Sequence, residues 1–161
     1  MENLDIFEPM QHPGHLVRRL HQICVAVFLD VASPHNITHI QFAALKAIEK
    51  FPNIDQITLA KIVALDRQTT SNLVIRLHER GLIERTRKYK RSNSLTITNT
   101  GIDLINSMQP KIKIVDETIL QPLTNKERKD LIILLKKLVD QNNDLSRAPY
   151  EPSALKSKNI L

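Results

Sequence analysis

A helix that stops at a glycine and runs directly into a short basic ribbon constrains this chain more than any other feature. Residues 66–80 (DRQTTSNLVIRLHER) read as one helix, and Gly81 ends it. Leu82-Ile83-Glu84-Arg85 then reads as a strand and residues 86–93 (TRKYKRSN) as an exposed tip. Ser94-Leu95-Thr96-Ile97-Thr98 returns as a second strand with two-residue alternation. Arg85, Arg87, Lys88, Lys90 and Arg91 place five cations in seven positions, with no carboxylate after Glu84. Such a run repels itself unless it meets a polyanion. A polar helix followed at once by a positive hairpin offers one element to a groove and the other to phosphates, so the expected partner is double-stranded DNA.

Composition agrees and narrows the class. A chain of 161 residues suffices for one domain with a real core, or for a subunit of a compact oligomer. Three glycines disfavour Gly-loop phosphate-binding folds. A net charge of +6 with a pI near 9.6 favours a polyanionic partner. The opening MENLDIFEPM is acidic and lacks the apolar core of a signal peptide, and the apolar run 23–29 is too short to span a bilayer. A single cysteine excludes an intrachain disulfide and fits a reducing compartment. A cytoplasmic, nucleoid-associated protein without membrane contact is expected.

Along the chain, Pro13 stands at a helix start, and Leu16, Leu20, Ile23, Val27 and Val31 recur at helical spacing after it. Ser33-Pro34-His35-Asn36 breaks that helix. Thr38-His39-Ile40-Gln41 is a capping box that opens a second helix over 38–50. Asp55 can cap a third helix over 56–65, and Asp66 the fourth. Beyond the hairpin, Ile102, Ile105, Ile112, Val115 and Ile119 mark a long helix with Pro110 as a bend. Thr124 and Glu127 form another capping box, before a last helix striped by Leu131, Leu134, Leu135, Leu138 and Leu145.

The expected fold is mainly α, with one small β-hairpin wing. A winged helix-turn-helix over 37–98 is flanked by helices over 13–36 and 99–146, and a flexible tail covers 147–161. The flanking stripes exceed what the small central module can cover, so two copies are expected to bury them in a dimerisation bundle. A symmetric homodimer also reads two half-sites of a pseudo-palindromic operator about one turn, roughly 34 Å, apart.

With these elements in order, residues 13–146 resemble the MarR family of bacterial transcription regulators. The resemblance is carried by 54–65, 66–77, the run Glu79-Arg80-Gly81-Leu82-Ile83-Glu84-Arg85, and Leu95-Thr96-Ile97-Thr98 leading to Gly101. The opening 12–23 (HPGHLVRRLHQI) is similar to a subset linked to breakdown of aromatic and N-heteroaromatic acids, nicotinate-pathway repressors included. Two positions depart from the family pattern. Tyr89 stands where family wings usually carry Asp, and Ile75 stands where an acidic residue often precedes the helix Arg, here Arg76. The resemblance implies a sequence-specific transcriptional regulator, in this subset a repressor released by a small aromatic carboxylate.

On the fourth helix Thr70, Leu73, Val74 and Leu77 share the face that must pack inward. Gln68, Thr69, Ser71, Asn72 and Arg76 are left for DNA, where Asn and Gln can pair with adenine through two hydrogen bonds. Arg87, Lys88, Lys90 and Arg91 are the expected wing contacts, with Arg91 directed to a narrow minor groove. His15, Arg18, Arg19 and Gln22 fall on one side of the first helix. They are either a solvated helix end or, with His39 and Phe42, a clamp for an aromatic acid. Cys24 lies mid-helix between Ile23 and Val25 with no second cysteine, which favours a structural role over a redox sensor. No metal site and no cofactor are expected. Neither a Gly-rich phosphate loop nor a Gly-x-Ser-x-Gly elbow is present, so no enzyme is expected. The remaining rival is an architectural or protein-interaction winged helix without a ligand.

Overall fold

The computed structural model describes residues 9–88, 92–151 and 153. Pro13 opens α1 (Pro13–Ala32), and the chain turns through Ser33–His35 and a left-handed Asn36 (φ 46°). The helix α2 (His39–Lys50) begins with the full capping box, in which Thr38 accepts from Gln41 N–H and Gln41 accepts from Thr38 N–H. Next come β1 (Ile54–Asp55), α3 (Gln56–Ile62) and α4 (Arg67–Glu79). The strands β2 (Ile83–Lys88) and β3 (Ser92–Ile97) form the hairpin, and α5 (Asn99–Leu120) and α6 (Asn125–Gln141) complete the order.

This is the mainly α winged helix-turn-helix expected, with four differences. The sheet has three strands in the order β1-β3-β2, because Ile54 and Asp55 pair with Leu95 and Ser94. A two-residue strand leaves no periodicity to read in a sequence. The third helix ends at Ile62 rather than at residue 65, because Ala64 adopts φ 52° to make the turn into α4. The hairpin strands run further than expected, to the pair Lys88 and Ser92, so the connection between them is short. Residues 147–151, expected to be loose, are held. Tyr150 N–H donates to Asn143 Oδ1 at 2.9 Å, Glu151 N–H donates to the Lys61 carbonyl at 3.0 Å, and the Glu151 carboxylate meets Lys61 Nζ at 2.7 Å. Such distant partners have no local signature.

One junction ties the recognition helix to the wing and to α5. Gly81, at φ 66°, closes α4 by donating to the His78 carbonyl (2.8 Å), and Leu82 N–H reaches back to the Leu77 carbonyl (3.0 Å). This is the Schellman pattern of a glycine in the left-handed region, accompanied by the apolar pair Leu77 and Leu82, both buried. Thr98 then donates its hydroxyl to the Gly81 carbonyl at 2.7 Å while capping α5 through Gly101 N–H at 3.1 Å. At Gly101 a methyl group would collide with the Leu82 carbonyl oxygen and lie 2.7 Å from Ile97 Cγ1. Only a glycine lets helix and hairpin approach so closely.

The core sits in the head, where Leu45, Ile48, Ile54, Leu59, Val74, Leu77, Ile83 and Leu95 are fully buried. It extends through Phe28, Ile105, Met108 and Val115 along α1 and α5. The bundle side is different. No residue of α6 is buried, and Ile133, Leu134 and Leu138 are 62%, 58% and 59% exposed. On α1, Leu16, Val17 and Ile23 are exposed as well. Leu16, Ile23, Leu134 and Leu138 belong to the stripes the sequence marked for a second copy, Val17 and Ile133 add to them, and exposed apolar surface of this kind denotes an interface. Among the described residues no single helix is long and apolar enough to cross a membrane.

Two outcomes are expected. Sedimentation at micromolar concentration should give a dimer of the 18.4 kDa chain, and a stable monomer would contradict the bundle. Gly101→Ala should lower stability by about 1–3 kcal/mol through overpacking against Leu82 and Ile97. An unchanged thermal midpoint would show that this contact yields easily.

Candidate nucleic-acid interface

The helix α4 is divided as its sequence requires. Thr70, Leu73, Val74 and Leu77 are buried, whereas Gln68, Thr69, Asn72 and Arg76 are exposed and Ser71 is half-buried. Asp66 starts the helix by accepting from Thr69 N–H at 2.9 Å and from the Thr69 hydroxyl at 2.6 Å. Those bonds, the hydroxyl first, hold the Asp66 carboxyl below its ordinary pKa. A carboxylate at this end also complements the helix dipole. Thr69, expected to contact DNA, commits its hydroxyl proton to the cap and so helps to fix the first turn, while its side chain remains exposed. Thr70 adds to the same corner, donating its hydroxyl to the Asp66 carbonyl at 2.8 Å.

Gln68 Nε2 donates to Asn72 Oδ1 at 3.3 Å across one helical turn. The two amides thus hold each other on the exposed face. Asn72 keeps its own N–H donors and a second lone pair on Oδ1, the set needed for a paired contact with adenine.

Beside this face lies a cleft of about 1040 Å³ lined by Asp55, Lys61, Arg67, Gln68, Ser71 and Arg85, with Arg147 and Glu151 of the C-terminal segment on its far wall. Lys61, Arg67 and Arg147 were absent from the residues picked out of the sequence. Arg85 had been counted with the tip, but in the longer ladder it stands opposite Leu95 in mid-strand, and its Nε is buried without a hydrogen-bond partner. No sequence signal joins Lys61 to a segment ninety positions away. Of the wing residues, Lys90 and Arg91 lie outside the described residues, as do the side chains of Arg87 and Lys88.

The six residues read as a ligand clamp are not gathered in one chain. His15 is half-buried and Arg18, Arg19 and Gln22 are exposed on the N-terminal half of α1, where Arg19 donates to Gln22 Oε1 at 3.0 Å. Phe42 is instead a core residue, 8% exposed, its ring 6.4 Å from that of Phe28. His39 lies edge-on to Phe28 at 5.3 Å. From Arg18 to Phe28 the helix rises about 15 Å, longer than a single-ring acid. Phe28 and Phe42 are buried where α1 packs on α2, while His39 touches the Phe28 ring and remains exposed. Cys24 is half-buried. Among the described residues no group of three His, Cys, Asp or Glu side chains converges on a metal position.

A capped polar helix closed by a Schellman turn, followed by an antiparallel wing and framed by long helices, defines a winged helix-turn-helix DNA-binding protein. Residues 35–90 match the MarR family. The PcaV transcriptional regulator of Streptomyces coelicolor, solved with its natural ligand, is 31% identical and superimposes with a TM-score of 0.78, covering 87% of this chain and 98% of that one. BpsR of Bordetella bronchiseptica, whose structure concerns regulation of DNA binding by 6-hydroxynicotinic acid, is 28% identical with a TM-score of 0.75, covering 80% and 94%. The transcriptional repressor NicR of Pseudomonas putida is 28% identical over 140 residues, 86% of this chain and 89% of NicR. The chain belongs to the MarR family and is a DNA-binding transcriptional regulator.

Asn72→Ala and Gln68→Ala are expected to lower affinity for the cognate operator by about 1–3 kcal/mol, with much smaller effects on random DNA. Lys88→Ala should weaken all sequences alike and reduce the salt slope by about one. Fluorescence anisotropy across a salt series measures both. Equal loss on operator and random DNA for Asn72→Ala would remove it from base reading.

Proposed function

We propose that this protein is a homodimeric repressor that binds a pseudo-palindromic operator and is released by a small aromatic carboxylate. The observation that carries the effector is the N-terminal half of α1. His15, Arg18, Arg19 and Gln22 stand there beside Leu16 and Val17, which are apolar and exposed. Covering Leu16 and Val17 with a second copy would place the cations at the edge of an apolar, partly desolvated cleft. A guanidinium there pairs strongly with a carboxylate, and the apolar wall receives the ring. In this reading His15, Arg18, Arg19 and Gln22 supply the polar contacts, and exposed His39 stands on the neighbouring helix α2, where Phe42 is buried. The similarity to PcaV, BpsR and NicR supports the same reading, since their names and structures speak of a natural ligand, of 6-hydroxynicotinic acid and of repression.

Release requires that the ligand favour one spacing of the two heads over another, because equal affinity for both shifts nothing. The α1 edge suits that role, since α1 belongs to the bundle and also packs on α2 of the head. An architectural winged helix is the rival reading. It is distinguished by the ratio of operator to random-DNA affinity, large for a regulator and near unity for an architectural binder.

Calorimetry with 6-hydroxynicotinate and a hydroxybenzoate, together with operator release, should be run on wild type, Arg18→Ala and Arg19→Ala. At least one variant is expected to lose most of the ligand affinity while keeping operator affinity. Unchanged ligand affinity in both would place the pocket elsewhere.

A further inference from the structure

The C-terminal end of the recognition helix is anchored to the corner between α1 and α2 by a single side chain. Arg80 is the C-cap residue of α4. Its guanidinium donates through one amino nitrogen to the Asn36 carbonyl at 2.7 Å and through the other to the His35 carbonyl at 2.8 Å. Those carbonyls end the short turn that joins α1 to α2, where Asn36 takes the left-handed conformation. A turn of this kind leaves its last carbonyls unpaired and negative, and a planar fork with several donors suits two of them at once. The same turn is held from the other side. Lys111 of α5 lies 3.0 Å from His35 Nε2. The corner between α1 and α2 is thus clasped between the recognition helix and the long helix that joins head to bundle.

We propose that Arg80 is a positioning residue for operator recognition. It sets the angle of α4 against the bundle by locking its last turn to the corner of α1 and α2, and it makes no contact with DNA. The competing role for a basic residue one turn beyond Arg76 on a recognition helix is a phosphate contact. Each amino nitrogen of the guanidinium donates one hydrogen bond within the protein, which fixes the plane of the fork against the α1–α2 corner. The Schellman bonds of Gly81 and Leu82 close the last turn of α4 locally, but they do not tie that turn to α1 or α2, and Arg80 does. Residues 35 and 36 are separated from residue 80 by more than forty positions, and the contact therefore constrains the relative placement of two elements rather than a local turn. In a dimer that must meet two major grooves together, a small rotation of each α4 misplaces both heads. The inference rests on α4 as the reading helix and is independent of the effector.

The test uses the full chain with operator and random duplexes over a range of salt. Arg80→Ala and Arg80→Lys are compared with Arg76→Ala and Asn72→Ala, and folding is verified by circular dichroism and thermal midpoint. Arg80→Lys is the decisive variant, because it keeps the charge and loses the fork. Both Arg80 variants are expected to lose about fivefold or more in operator affinity, the size of an ordinary coupling between sites. Random-DNA affinity and the salt slope should stay at the wild-type value, while Arg76→Ala reduces the slope by about one. Three results would overturn the proposal: a reduced slope with parallel loss on random DNA for Arg80→Ala, full operator affinity in Arg80→Lys, or no loss in either variant. If Asn72→Ala leaves operator binding intact while Arg80→Lys lowers it, the reading helix is misassigned although the joint is real.

Discussion

Everything in the head depends on how the chain leaves the recognition helix. At Gly81 three elements must separate within two residues: α4 ends, β2 starts, and α5 must later return to the same point. The Schellman bonds close α4, Thr98 joins its last carbonyl region to the cap of α5, and Gly101 permits the close approach to Leu82. The angle between helix and wing is therefore fixed by backbone hydrogen bonds and a missing side chain. A groove-reading helix and a phosphate-reaching ribbon are useful together only if that angle is constant.

The second constraint is area. The head closes a core of its own, but α6 buries nothing and half of α1 leaves its apolar residues in water. A chain with this distribution is built to be covered, and the matching stripes on the terminal helices suit a symmetric bundle. Dimerisation then does three things with one interface. It removes apolar surface from water, fixes the distance between two reading helices, and, in the function proposed above, brings the polar edge of α1 to the rim of a cleft where a small aromatic acid would act on that spacing.

Much of this was legible in the sequence because it is local. Thr38 with Gln41, Thr124 with Glu127, Asp55, Asp66 and Gly81 each signal a boundary through a bond made within a few residues, and the structure places those boundaries within a residue or two. The inward face of α4 was equally plain from its spacing. Features made by distant partners were not legible: β1 pairing with β3, the seating of Glu151 on Lys61, and the grip of Arg80 on the carbonyls of His35 and Asn36. Phe42 shows another limit of sequence pattern: an aromatic residue one turn into α2 suits a ligand wall or a core equally well, and its burial beside the ring of Phe28 has no local signature. The bond of the Thr69 hydroxyl to Asp66 shows that a residue expected to face DNA also serves the cap of its own helix.

The central claim is that two copies of α4, held at a fixed spacing by the bundle, read DNA as a pair. A hydroxyl-radical footprint on duplexes selected from a random pool by this protein tests it directly. The account predicts an enriched pseudo-palindrome with two protected patches centred about one helical turn, roughly 34 Å, apart and related by a two-fold axis. Failure to enrich any sequence, or a single patch without symmetry, would contradict it.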